Sequence, residues 1–123
     1  MLDSVLNQNY PQEMFEVIVV NDRSTDRTKE IVESYLQKFP NLRLLTLTEK
    51  SEILSGKQNA LDNGIKTAKG EIILVTDADC VITKNWVRSM GKFFADKNMG
   101  IVVGKTEIIN EKKGFLIKFQ MMA

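Results

Sequence analysis

Residues 71–80 constrain the fold of this chain more than any other stretch. Four apolar residues at positions 72–75, three of them β-branched, form an unbroken run that is typical of a buried strand in a parallel sheet. Asp77 and Asp79 follow this run. Alternate side chains of an extended chain point to the same side, with Cα atoms about 6.5 Å apart, so both carboxylates are predicted to reach one divalent cation, or a cation and a ligand hydroxyl. The alternative is a pair of loop aspartates that cap the next helix.

Helices and strands are predicted to alternate along the rest of the chain. Besides residues 72–75, the predicted strands cover residues 15–20, 42–47 and 101–103, the last one extending as far as Ile109. Predicted helices cover residues 1–8, 31–39, 56–68, 86–94 and 115–122, with Asp26 or Thr25 as the cap of the second helix and Thr83 as the cap of the fourth. The alternation predicts one α/β domain over residues 1–123, with three layers and a mostly parallel sheet.

Two of the predicted strands end in acidic and amide side chains. Asn21 and Asp22 follow the strand at residues 15–20, as Asp77 and Asp79 follow the strand at residues 72–75. Ligands of parallel sheets bind outside the carboxyl ends of the strands. The two groups are therefore predicted to meet at one rim and to line a binding cleft.

Lys57 lies in an unfavourable position for a lysine. Ser55 and Gln58 match a capping box, which places Lys57 in the first turn of the helix that they open. A cation at this end opposes the helix dipole, at a cost of some tenths of a kcal/mol. An anion bound by Lys57 and the free N–H groups would reverse this penalty. The alternative is a surface lysine that extends into solvent.

Composition excludes several classes of function. The chain has 17 basic and 16 acidic residues, a formal net charge of +1, so no bulk field favours nucleic acid. It has no histidine, which removes serine–histidine catalysis and typical zinc sites and leaves Mg²⁺, Mn²⁺ or Ca²⁺ as the metals that its oxygen ligands suit. The single cysteine, Cys80, excludes an internal disulfide and favours a reducing, cytoplasmic compartment.

Three motifs carry a resemblance to a known family. Residues 19–28 (Val-Val-Asn-Asp-Arg-Ser-Thr-Asp-Arg-Thr), 56–64 (Gly-Lys-Gln-Asn-Ala-Leu-Asp-Asn-Gly) and 75–79 (Val-Thr-Asp-Ala-Asp) resemble successive motifs of the family 2 glycosyltransferases, which have the GT-A fold. Their order and spacing match over nearly all of residues 1–110. The resemblance implies transfer of a sugar from a nucleotide-diphosphate sugar, a UDP-sugar in the usual case, to a saccharide or lipid-linked acceptor, in cell-wall or polysaccharide biosynthesis.

The resemblance also implies roles for four residues. Asp22 would hold the base, Lys57 would lie near the diphosphate, Asp77 would lie near the ribose, and Asp79 would ligate Mn²⁺ or Mg²⁺. This chain departs from the family motif in one place. The family has two acidic residues followed by glycine where this chain has Asn21, Asp22 and Arg23.

The ends of the chain also differ from the family pattern. The family's first strand and most of its first helix have no counterpart before residue 15, and the acceptor site and general base are expected beyond Ala123. The resemblance therefore implies a partial domain, whose full-length parent works at the cytoplasmic face of the membrane. A strand between those at residues 15–20 and 72–75 would be missing, so self-association of the isolated chain is expected. No sugar transfer is expected of the isolated chain, because the acceptor side and the general base would be absent.

Two other functions fit part of the sequence. The pattern Asp77-x-Asp79-x-Val81 also matches haloacid-dehalogenase-type phosphatases, whose first aspartate is a nucleophile. Those enzymes need a later lysine and a later acidic pair, and no paired acids follow Asp79 here. The other alternative is a nucleotide-binding remnant without turnover, which nucleotide binding in the absence of transfer would identify.

Overall fold

The structure, a computed structural model, describes residues 1–107. Its helices are α1 (Leu2–Leu6), α2 (Thr28–Leu36), α3 (Gly56–Thr67) and α4 (Trp86–Gly91), and its strands are β1 (Val17–Asp22) and β2 (Leu42–Leu47). Single 3-10 turns cover Gln12–Met14 and Lys92–Ala95. The predicted helix at residues 115–122 and the last two residues of the predicted extension to Ile109 lie outside the described residues, and residues 104–107 of that extension form no strand. None of the helices within residues 1–107 is long and apolar enough to cross a membrane.

The sheet consists of β1 and β2, which pair in parallel. The register runs from Val17 opposite Leu42 to Asp22 opposite Leu47, and α2 forms the crossover between the strands. The predicted parallel pairing is confirmed for these two strands. β1 begins two residues later than predicted and includes Asn21 and Asp22, so the acidic end of the strand is part of the hydrogen-bonded ladder.

The core lies on one face of the sheet, and a second helix covers the other face. Leu6 of α1, Val32 of α2 and Leu42 of β2 are buried together. The residues packed around them are Leu2, Val17, Val19, Tyr35, Phe39 and Leu44. Val20 points to the opposite face, where a Cβ added to Gly64 of α3 would lie 3.1 Å from its Cγ2 atom. Helices therefore cover both faces, as the predicted three-layer arrangement requires.

Glu16, the residue before β1, forms hydrogen bonds with β2 and with the segment that follows α3. Its Oε2 atom accepts a hydrogen bond from Nη1 of Arg43 in β2 at 2.8 Å, and its Oε1 atom accepts one from the backbone N–H of Lys69 at 2.6 Å. Arg43 also donates to the carbonyl of Thr67, the last residue of α3. Both strands and the end of α3 are thus held at one point.

The prediction of strands at residues 72–75 and 101–103 is wrong. Neither stretch joins the sheet, which has two strands in the described part of the chain. Ile73 is 39% exposed and Ile101 is 80% exposed. An apolar run forms a strand only where a neighbouring strand completes its hydrogen bonds, and the second edge of β1 carries no strand within residues 1–107.

The cap of α4 also differs from the prediction. Thr83 contributes its carbonyl to the N–H of Trp86, and its side chain caps nothing. A residue distant in sequence, Gln8, holds this end of the helix instead. Its Oε1 atom accepts from the N–H of Val87 at 3.0 Å, and its Nε2 atom donates to the Thr83 carbonyl at 2.9 Å.

Candidate functional site

The loop after β1 is ordered by two polar side chains. Asn21 is buried, and its Oδ1 atom accepts a hydrogen bond from the N–H of Ser24 at 3.0 Å. Asp26 accepts from the N–H of Thr28, the first residue of α2, at 2.9 Å, but the N-cap residue of the helix is Arg27 and not the predicted Asp26 or Thr25. These bonds define the path of the chain around Asp22, so Asn21 has a structural task beside the acidic site residue.

Asp22 is held by the residue that follows it. Nε of Arg23 donates to Oδ1 of Asp22 at 2.8 Å, and this hydrogen bond keeps the pKa of the carboxyl below its usual range. Arg23 has a φ of +57°, the only positive φ of a non-glycine residue within residues 1–107. A left-handed conformation costs a residue with a Cβ atom about 1–2 kcal/mol. The backbone therefore favours glycine here, which is the residue of the family motif.

The first turn of α3 lies against Asp22. Ser55 and Gln58 form the predicted capping box, in which the Ser55 N–H donates to Oε1 of Gln58 at 3.2 Å. A Cβ added to Gly56 would lie 3.0 Å from Oδ2 of Asp22. Only glycine lets the carboxylate approach the helix this closely, so Gly56 belongs to the site.

Lys57 joins the first turn of α3 to the acidic segment. Its Nζ atom donates to Oδ1 of Asp77 at 2.7 Å, and this bond raises the pKa of the lysine above its usual value. Lys57 is 81% exposed and Asp77 is 57% exposed, so water screens the pair and leaves both groups accessible to a ligand. Asp22 and Asp77 thus lie at the same helix end as Lys57, so the two acidic groups meet as predicted, although residues 72–75 do not join the sheet.

Asp79 lies in a turn and not in an extended chain. The Cys80 N–H donates to the Asp77 carbonyl at 3.2 Å, which closes a four-residue turn. The extended geometry predicted for the two carboxylates is therefore wrong. Asp79 is still close enough to Lys57 for its charge to raise the pKa of the lysine, although less than Asp77 does.

The chemistry of Asp79 fits a hard divalent cation. Its carboxylate is exposed, and the one hydrogen bond that it accepts from a side chain within residues 1–107 comes from the weakly donating thiol of Cys80, at 3.8 Å. Mg²⁺ takes one or two protein carboxylates and fills its remaining positions with water and phosphate oxygens. No three side chains of Asp, Glu, Cys or His gather into a metal site within the described range. A metal here would thus need ligands from a phosphate.

Sequence reasoning missed the parts played by Gly56 and Arg23. Gly56 was part of a matched motif, but its closeness to Asp22 depends on how α3 packs on β1. Arg23 carried a signal, since it replaces the motif's glycine. The replacement did not predict that the Arg23 side chain bonds to Asp22.

Known proteins share both the sequence and the fold. The model of the family described as "Glycosyl transferase family 2" matches residues 1–122. The chain is 34% identical over 124 residues to "Probable glycosyltransferase YdaM" of Bacillus subtilis, covering 96% of this chain and 28% of that protein. It is 35% identical over 109 residues to "Poly(ribitol-phosphate) beta-glucosyltransferase" of Bacillus spizizenii, covering 89% of this chain and 17% of that protein.

A solved structure gives the same result. The crystal structure of Staphylococcus aureus TarS, residues 1–349, in complex with UDP matches with a TM-score of 0.66 and 34% identity. The match covers 80% of this chain and 28% of the TarS chain. The fold is thus the α/β fold of that glycosyltransferase, and the chain spans less than a third of the length of these relatives.

Proposed function

This chain belongs to glycosyl transferase family 2, and on that premise we propose that the protein transfers a sugar from a uridine-diphosphate sugar to a saccharide or lipid acceptor. UDP is the ligand of the TarS structure that the chain resembles. Relatives named for a poly(ribitol-phosphate) acceptor and for a glucosyldiacylglycerol product support both classes of acceptor and a role in cell-wall or polysaccharide biosynthesis. The family match favours a transferase over the phosphatase alternative.

The arrangement of three side chains around the first turn of α3 carries this proposal. Asp22 offers a fixed carboxylate oxygen to an N–H of the base, and Asp77 offers an exposed one to a ribose hydroxyl. Lys57 lies in the same turn as the free N–H groups of the helix, where an anionic diphosphate is stabilised. A cation beside the diphosphate also stabilises the charge that develops on it as the sugar leaves.

Lys57 changes partner when the donor binds. In this structure Asp77 neutralises Lys57. A diphosphate carries more negative charge than one carboxylate and would draw the Lys57 ammonium toward itself. Asp77 would then be free to accept a hydrogen bond from a sugar hydroxyl. The salt bridge thus keeps both side chains close to the positions in which they would bind ligand.

Asp79 is the residue that would hold Mn²⁺ or Mg²⁺. Such an ion supplies Lewis-acid stabilisation of the diphosphate leaving group when bound. The exposed carboxylate of Asp79 would hold the ion, and its charge already acts on Lys57, so the ion and the lysine would both stabilise the diphosphate.

Calorimetry with UDP in the presence and absence of Mn²⁺ or Mg²⁺ tests the proposal. We expect binding that depends on metal, and we expect Asp79→Asn to abolish the metal dependence. Asp62→Asn is the matched control, because Asp62 lies on α3 in a surface pair with Lys66 and is expected to leave the titration unchanged. Absence of UDP binding, with or without metal, would overturn the proposed donor.

We propose in addition that copies of the chain associate through the second edge of β1. This edge carries no strand within residues 1–107, and the apolar side chains of Ile72, Ile73 and Val75 are exposed. Exposed edges and apolar runs are typical sites of strand pairing. Light scattering at increasing concentration is expected to give a mass above that of one chain, and a constant monomer mass would contradict the proposal. A cytoplasmic location stays a prediction.

A further inference from the structure

Arg23 has a backbone conformation that glycine would adopt more easily. Its φ of +57° is unfavourable for any residue with a Cβ atom. Strained residues persist where their surroundings or their task require them. The hydrogen bond from the Arg23 side chain to Asp22 is a role that glycine could not fill.

The two oxygens of Asp22 have different surroundings. Oδ1 accepts the hydrogen bond from Arg23 at 2.8 Å. Oδ2 points to the bare Cα atom of Gly56, and no donor of residues 1–107 bonds to it. The Asp22 side chain is only 17% exposed, so it has little freedom to rotate and exchange the two oxygens. A ligand thus meets one carboxylate oxygen without a donor from residues 1–107 and one that it must share with Arg23.

One free oxygen and one shared oxygen favour bases that need a single strong acceptor over bases that need two. Uracil presents a single N–H between two carbonyl groups. Guanine presents two adjacent donors, an N–H and an amino group, which a carboxylate with both oxygens free accepts together. Because Oδ1 already accepts from Arg23, the guanine amino group has to share that oxygen with a guanidinium N–H, so it forms a weaker hydrogen bond than it would to a free oxygen.

We propose that Arg23 is a specificity-determining residue that makes Asp22 select uracil over guanine. The proposal rests on the proposed function, in which Asp22 binds the base. Arg23 occupies Oδ1 and leaves Oδ2 for the single N–H of uracil.

Titration of the protein with UDP and with GDP, at fixed metal concentration, tests the proposal in three variants. Arg23→Gly frees Oδ1, so we expect the ratio of UDP affinity to GDP affinity to fall by about tenfold or more. Arg23→Lys keeps a cation that can donate to Oδ1 and is expected to retain most of the ratio. Arg27→Ala, which removes an exposed arginine of the same loop, is expected to retain all of it.

Thermal melting of the same variants separates specificity from structure. Arg23→Gly relieves the left-handed strain, so we expect its melting temperature to stay equal or to rise while discrimination falls. A purely structural arginine would lose stability and leave the ratio unchanged. An unchanged ratio in an Arg23→Gly protein that binds UDP overturns the role of Arg23 alone. Failure of the unsubstituted protein to bind UDP overturns the proposed function and this inference together.

Discussion

The two acidic segments of the rim are built in different ways. Asp22 closes a strand that pairs with β2 along its whole length, and its side chain is 17% exposed between Arg23 and Gly56. Asp77 follows a run that joins no sheet, and its side chain is 57% exposed. The first carboxylate is positioned by packing and backbone hydrogen bonds, whereas the second is held by a single surface ion pair.

The difference indicates which of the two segments becomes ordered when ligand binds. An exposed ion pair such as Lys57–Asp77 contributes about 0–1 kcal/mol, which is too little to immobilise a turn. Asp22 needs no ligand to reach its position. We therefore infer that the base binds to the Asp22 carboxylate, which is already in position without ligand. The phosphates and the metal would order the segment that contains Asp77 and Asp79.

The largest expected effect tests whether the paired strands carry the stability. Leu42 is buried in the core, so Leu42→Ala is expected to lower the free energy of unfolding by about 2–5 kcal/mol. Ile73 is half-exposed in the unpaired run, so Ile73→Ala is expected to cost much less than Leu42→Ala. Denaturant unfolding of both variants measures the contrast. Equal losses would show that residues 72–75 are as firmly packed as β2.

A smaller effect separates affinity from stability at the acidic segment. Lys57→Ala is expected to weaken diphosphate binding by about 1–3 kcal/mol, the range for hydrogen bonds to charged groups. Stability is expected to change by less than about 1 kcal/mol, because the lost pair is exposed and an unfavourable dipole contact disappears. Calorimetry and thermal melting give the two quantities. Lys66→Ala, on the same helix, is the control and should bind normally; a loss of stability without a loss of affinity would make Lys57 structural.

The smallest effect concerns the opposite end of β1 and depends on pH. The N–H of Lys69 and the guanidinium of Arg43 lower the pKa of Glu16 in the folded protein. The stability from Glu16 is therefore present above the unfolded pKa, near 4.5, and is lost as the pH falls through the lower folded pKa. Glu16→Gln is expected to cost about 1 kcal/mol at pH 7 and little at pH 3. Unfolding curves at both pH values measure this, and an equal loss at both would contradict it.

Local patterns predicted the parts of the fold that depend on local contacts. The bounds of β2 and the capping box of α3 follow from neighbouring residues, and both are confirmed. The cap of α4 could not be predicted, because Gln8 reaches it from the other end of the described chain. Residues 72–75 show the reverse case. Their apolarity indicates suitability for a buried strand, but pairing requires a neighbour that local sequence does not specify.

The site was predictable to a similar extent. Asp22, Lys57 and Asp77 were placed at one rim by strand order and by the family motifs, and the structure brings them together around the first turn of α3. The turn at Asp79 was not predictable from the alternation of side chains, because that argument assumed an extended backbone. The roles of the four residues toward a nucleotide stay predictions.

The left-handed backbone at Arg23 has a consequence for how the sequence can change. Changing the first base of any arginine codon to guanine gives a glycine codon, so relief of the strain is one point mutation away. In a mutant library selected for thermal stability alone, glycine at position 23 is expected among the early survivors. In a library selected for growth on uridine donors with guanosine nucleotides in excess, arginine is expected to persist. The residue found at position 23 would then distinguish a population selected for stability from one selected for discrimination between nucleotides.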